Sequence, residues 1–110
     1  MGILMKKVNE IPGLSAEETA LLQSVFSAET SLNKVILYGS RAKGTYRPGS
    51  DIDLTLTGSC LSTGWLMDLS AKIDDLLLPY EIDLSIFDHI DNLDLIDHIQ
   101  RVGKVVFSNE

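Results

Sequence analysis

What this sequence lacks narrows what it can be. It has one cysteine, Cys60, so no internal disulfide framework exists and the chain reads as a protein of the reducing cytoplasm. No apolar run approaches the roughly 20 residues of a membrane span. The opening MGILMKKVNE puts Lys6 and Lys7 where a secretory leader would continue its apolar region, and no small-residue cleavage site follows. Lys6 also breaks the myristoylation pattern that Gly2 would begin. Basic residues are scarce: nine against sixteen acidic ones, for a net charge of −7. That argues against a direct grip on nucleic-acid phosphates, which needs clustered Lys and Arg. It leaves room for a nucleotide held through metal ions. There is no internal repeat, low-complexity tract or linker.

What is present suits one domain spanning residues 1–110. A chain of 110 residues buries roughly 65% of the surface its unfolded form exposes, enough for a single core. After Pro12-Gly13, the stretch Ser15 to Glu18 has the form of a capping box, with Ser15 as N-cap and Glu18 reaching back. Leu21, Leu22, Val25 and Phe26 then mark one face of a helix. Lys34 to Tyr38 reads as a short buried strand ended by Gly39. A loop punctuated by Gly44 and Pro48-Gly49 follows.

From Asp51 the pattern alternates strictly: Ile52, Leu54 and Leu56 to one side, Asp51, Asp53 and Thr55 to the other. Leu66, Leu69, Ile73, Leu76 and Leu77 predict a second helix stopped by Pro79, and Glu81 to Phe87 alternates again. A last helix is predicted from about Asp91 to Arg101, closed by Gly103 as a left-handed cap, with Lys104 to Phe107 as a short apolar tail. The architecture expected is α/β (α+β): a mixed sheet of three or four strands with helices packed mainly on one face. Two strands joined through a helix are most simply parallel neighbours, because parallel pairing requires a long crossover. Asp83 should therefore stand beside the strand carrying Asp51 and Asp53, on the face away from the core.

Carboxylates at i and i+2 of a strand lie about 6.5–7 Å apart, and a neighbouring strand adds another at about 4.8 Å. Charges that close repel, so the cluster makes sense around a divalent cation, and oxygen donors alone favour Mg²⁺ or Mn²⁺. Alternation by itself is what any half-exposed strand shows. The preceding segment adds the discriminating feature. Gly39 and Ser40 lie just past a strand end, where backbone N–H groups and a hydroxyl can meet phosphate oxygens, and Arg41, Lys43 and Arg47 bring positive charge beside the acids.

The string GSRAKG…SDIDL, with Gly39-Ser40 ten residues ahead of Asp51-Ile52-Asp53, resembles the signature of the minimal nucleotidyltransferases of the DNA polymerase beta superfamily. The order of elements is similar over nearly the whole chain, with the signature loop at 39–53. The resemblance implies transfer of AMP from ATP to a hydroxyl acceptor. It implies two Mg²⁺ ions (or Mn²⁺) on Asp51, Asp53 and Asp83 as the catalytic carboxylates, and phosphates held by Gly39, Ser40, Arg41, Lys43 and Ser50. Larger members carry a second, acceptor-binding domain. Minimal members are commonly paired with a small helical HEPN toxin, encoded alongside, and modify a tyrosine of it. This chain has no R-x4-H motif of the HEPN type, so the resemblance makes it the antitoxin of a type VII-like pair. Two other readings stand beside this one: a non-catalytic module that neutralises its partner by occlusion, and a small-molecule (aminoglycoside-like) nucleotidyltransferase completed by a second subunit.

Several residues read as structural. His89 and His98 are nine positions apart, which places them about half a turn out of phase on a helix, so they read as incidental on an acidic face with Asp88, Asp91, Asp94 and Asp97. Cys60 reads as inert and Trp65 and Tyr80 as packing residues. Tyr38 reads as core, with a nucleotide base as its alternative contact.

Overall fold

A computed structural model describes residues 8–109; the reading of Gly2, Lys6 and Lys7 lies outside the described residues. The capping box forms. The Glu18 N–H donates to Ser15 Oγ at 3.1 Å and the Ser15 N–H to Glu18 Oε1 at 2.9 Å, opening helix α1 (Ala16–Ser27). The other elements are strand β1 (Leu32–Tyr38), a short helix α2 (Gly39–Lys43), β2 (Ile52–Gly58), α3 (Thr63–Asp74), β3 (Ile82–Ile86), a 3-10 turn (Phe87–His89), α4 (Leu93–Val102) and β4 (Lys104–Ser108).

The four strands form one mixed sheet in the order β3-β2-β1-β4. β1 pairs antiparallel with both β2 and β4, and β2 pairs parallel with β3. Leu22 and Phe26 of α1 and Leu69 and Ile73 of α3 close over one face, against Val35, Leu37, Ile52, Leu54 and Leu56. Burying each such side chain contributes roughly 1.5–3 kcal/mol, so this stripe fixes which face is inside. The polar residues between them, Asp53 and Thr55 on β2 and Tyr38 on β1, are turned to the other face. Helix α4 packs there against β1, with Ile99 buried outside the main cluster.

The structure changes several boundaries. β1 begins at Leu32 rather than Lys34, because a register irregularity between Leu32 and Lys34 interrupts the alternation. The segment after Gly39 is not loop throughout: it winds into α2, which stops at Gly44 with φ 81. Helix α3 ends at Asp74, so Leu76 and Leu77 leave the helix, and Leu77 takes a positive φ and is exposed. The apolar tail is an edge strand, β4, with Phe107 packed on Phe26 at 5.6 Å between ring centroids.

Gly103 is not the left-handed cap expected of it. Its φ of −62 and ψ of 143 are extended, while a Cβ there would collide with the Ile99 carbonyl oxygen and come within 2.8 Å of Ile36 Cγ2. Glycine at this position lets α4 lie close against β1.

Candidate active site

The sheet register lines up three polar side chains in one row. Tyr38 on β1 is paired with Asp53 on β2, and Asp53 with Asp83 on β3. Adjacent strands are about 4.8 Å apart, so Asp53 stands between a phenol and a second carboxylate. Asp53 is half-buried, while Asp83 on the edge strand and Asp51, one residue before β2, are exposed. The parallel neighbour predicted for Asp83 is therefore present.

The electrostatics agree with the register. Partial burial, then the charges of Asp83 and Asp51, hold the Asp53 carboxyl above the ordinary carboxylate range. Burial also raises the Tyr38 phenol, with Asp53 and Asp83 adding to the rise against a hydrogen bond to Ser85. Behind this row, Ser85 Oγ donates to Thr55 Oγ1 at 3.0 Å, and Thr55 is fully buried. Thr55 and Ser85 are themselves paired across β2 and β3, two residues along from Asp53 and Asp83.

The Gly39 backbone lies close against the Asp53 side chain. Its φ is +77, and a Cβ there would collide with the Asp53 carboxylate. Both facts require glycine. Ser40 follows directly at the head of α2 and is half-buried.

Arg41 is a correction. The resemblance implies a phosphate ligand, but the side chain is only 2% exposed. Its Nη1 donates to the Pro12 carbonyl and its Nη2 to the Ser50 carbonyl, each at 2.7 Å. The guanidinium carbon lies 4.8 Å from the Tyr46 ring centroid and 5.4 Å from that of Tyr80. Two carbonyls and two aromatic faces hold this cation, as suits a planar, weakly hydrated guanidinium. These bonds occupy both terminal nitrogens of Arg41 and tie α2 to Ser50, the residue immediately before Asp51. Tyr80 does pack, as its reading had it, and its hydroxyl donates to Glu18 Oε1 at 3.0 Å.

Ser50 closes the loop on itself: its Oγ accepts from the Arg47 N–H at 2.9 Å, and its own N–H donates to the Arg47 carbonyl. Lys43 and Arg47 are exposed. Lys43, on α2, is the exposed cation nearest in sequence to the Gly39-Ser40 turn.

His98 was passed over in the sequence and belongs to the site. From α4 its Nε2 accepts a hydrogen bond from the Gly39 N–H at 3.1 Å, and its ring meets that of Tyr38 edge-on, at 6.2 Å and 80°. The pattern held a signal. Leu95, Ile99 and Val102 form the inward stripe of α4, and His98 lies three residues after Leu95 and four before Val102, on the edge of that stripe. His89 is exposed in the 3-10 turn, and Cys60 is a free, exposed thiol.

Among the described residues, no three His, Cys, Asp or Glu side chains converge as a ready metal cluster. The donor set nevertheless fits a hard divalent ion by its chemistry. The donors are carboxylate oxygens, two of them level on adjacent strands, with a mutual repulsion that a cation would relieve. Among the described residues, no helix is long and apolar enough to cross a membrane.

Comparison with known proteins agrees with this geometry. The family profile described as "Polymerase beta, Nucleotidyltransferase" matches residues 21–110. No curated protein sequence gives a significant match. Among solved structures, a toxin–antitoxin complex with AMP-PNP aligns at 21% identity and TM-score 0.65, over 88% of this chain and 76% of that one. A complex of a tri-AMPylated Shewanella oneidensis HEPN toxin with its MNT antitoxin aligns at 17% identity and TM-score 0.62, over 84% and 71%. The MntA–HepT toxin–antitoxin complex aligns at 17% identity and TM-score 0.62, over 86% and 73%. At these identities the likeness establishes the fold.

Proposed function

The chain belongs to the polymerase beta nucleotidyltransferase family, and from that premise we propose that it transfers AMP from ATP to a tyrosine hydroxyl of a HEPN toxin encoded beside it. The observation that carries the reading is the level pairing of Asp53 with Asp83, with the Gly39-Ser40 turn pressed against Asp53. The acceptor class is supported by the fold neighbours, one a complex with an AMPylated HEPN toxin and another holding an ATP analogue.

In this reading Asp51, Asp53 and Asp83 hold the divalent ions, two Mg²⁺ or Mn²⁺. Such ions, when bound, neutralise phosphate charge and stabilise the attacking and leaving oxygens of an in-line displacement. Ser40 receives the outer phosphates of ATP, and Lys43, exposed on the same short helix, adds charge to them. The tyrosine oxygen attacks the α-phosphorus, the bond to the α–β bridging oxygen breaks, and pyrophosphate leaves. Asp83 stands on the edge strand and exposed, on the side from which an acceptor can approach, and it helps take the hydroxyl proton. This reading calls for a cytoplasmic protein, since ATP and the toxin would meet there.

Incubating the protein with labelled ATP, Mg²⁺ and the product of the adjacent gene tests this. Label should pass to the partner with the wild type and fail to pass with Asp53→Ala. Equal transfer by Asp53→Ala would reject the catalytic assignment. An Asp51/Asp53 double variant that transfers nothing yet still protects cells from the toxin would favour neutralisation by occlusion.

A further inference from the structure

His98 lies far along the chain from the signature turn, yet it supplies the acceptor for that turn's first amide. A backbone N–H has one proton to give, and the Gly39 N–H gives it to His98 Nε2 at 3.1 Å. An accepting imidazole nitrogen carries no proton, so the ring's own proton is on Nδ1. The seating of α4 on β1 and one ring contact put the imidazole in place. Gly103, lacking a Cβ, lets α4 come down on Ile36. Ile99, next to His98, is buried and anchors the helix. The Tyr38 ring meets the imidazole edge-on.

We infer that His98 is a positioning residue for the nucleotide site: through the Gly39 N–H it fixes the turn that abuts Asp53, so the Gly39 amide is structural and an incoming phosphate meets Ser40. The inference deepens the reading of this site as a nucleotide site and rests on it. The line of action runs from α4 through Gly39 to Asp53. At each link a specific atom is required: an acceptor on residue 98, no Cβ on residue 39, and a carboxylate on residue 53. A side chain of the right shape without an acceptor at position 98 would keep the packing on Tyr38 but leave a part-buried amide unpaired, which costs more than a weakened bond.

Two variants separate acceptor from filler. His98→Phe keeps a ring against Tyr38 and removes the acceptor; His98→Gln keeps an acceptor and removes the ring. Amide hydrogen exchange should show Gly39 protected in the wild type and in His98→Gln. In His98→Phe it should exchange roughly tenfold faster while the amides of β2 keep their protection. AMP-PNP with Mg²⁺ should bind His98→Phe roughly five- to tenfold more weakly, with the KM for ATP rising by a similar factor and kcat changing less. Equal Gly39 protection in His98→Phe overturns the inference. So does AMP-PNP binding at or above wild-type strength, which would make His98 a competitor for the amide. The exchange readout is independent of turnover: absence of AMP transfer alongside the expected exchange and binding pattern defeats the proposed reaction and leaves His98 in its role. Normal ATP kinetics in His98→Phe defeats the role and leaves the reaction.

Discussion

Asp53 and Asp83 are directly paired residues of two parallel strands, brought level by the α3 crossover. In the proposed reaction this pairing makes Asp83 as necessary as the carboxylates of the signature itself. Asp83→Asn should lower the rate of AMP transfer by at least about 100-fold, the scale on which removal of one stabilising group acts. The fold should survive, because Asp83 is exposed. Initial rates with labelled ATP check it, and a variant within tenfold of wild type would contradict the assignment.

Asp53 works against stability where it stands. Its folded-state pKa is raised, first by burial and then by Asp83 and Asp51. The folded state therefore binds this proton more tightly than the unfolded chain does. The resulting destabilisation is present in full above the raised pKa and disappears as pH falls through it toward the unfolded value. Without divalent metal, Asp53→Asn should melt higher than wild type at neutral pH, and the difference should close in acid. Thermal unfolding across pH measures this. A lower melting temperature for Asp53→Asn at neutral pH would show that the carboxylate is stabilising instead.

Gly39 admits no side chain. Gly39→Ala meets both a left-handed backbone, which costs an L-residue about 1–2 kcal/mol, and the Asp53 carboxylate. Denaturant unfolding should show at least that loss, and AMP transfer should fall further than stability does, because Asp53 is displaced. At Gly44 and Gly49, where a Cβ would meet nothing, alanine should cost only the backbone term.

Arg41 distinguishes scaffold from ligand. Arg41→Ala removes two part-buried, charge-assisted hydrogen bonds and should destabilise the protein by roughly 3 kcal/mol. Arg41→Lys should recover little, since an ammonium cannot fork between Pro12 and Ser50 while stacking between two rings. Were Arg41 a phosphate ligand, either change would raise the KM for ATP and leave the unfolding midpoint where it was. Parallel unfolding and ATP kinetics decide between the two.

Much of this arrangement was legible in the sequence because it rests on period and spacing. The alternation around Asp53 and Asp83 named the face, and the helical segment between them required a parallel neighbour. Ser15 and Glu18 announced a helix start in four residues. What stayed hidden depends on contacts between distant elements. Arg41 sits among charged and glycine residues that look like a solvated loop, and only the folded positions of Pro12, Tyr46 and Tyr80 show that its guanidinium is enclosed. His98 reads as one histidine among aspartates until α4 is laid on β1. Gly103 carries the usual mark of a left-handed cap, yet its glycine serves close packing on Ile36. The start of β1 was obscured by a register irregularity, and no pattern of period two reports an extra residue.

The central claim is that this carboxylate row drives transfer of AMP onto a partner protein. Its most direct test is mass spectrometry of the adjacent gene's product after incubation with the purified protein, ATP and Mg²⁺. An adenylyl group on a tyrosine of that partner is predicted with the wild type, and its absence with an Asp51→Ala/Asp53→Ala double variant that still folds. An unmodified partner in both reactions, with both proteins protecting cells equally, would contradict the account.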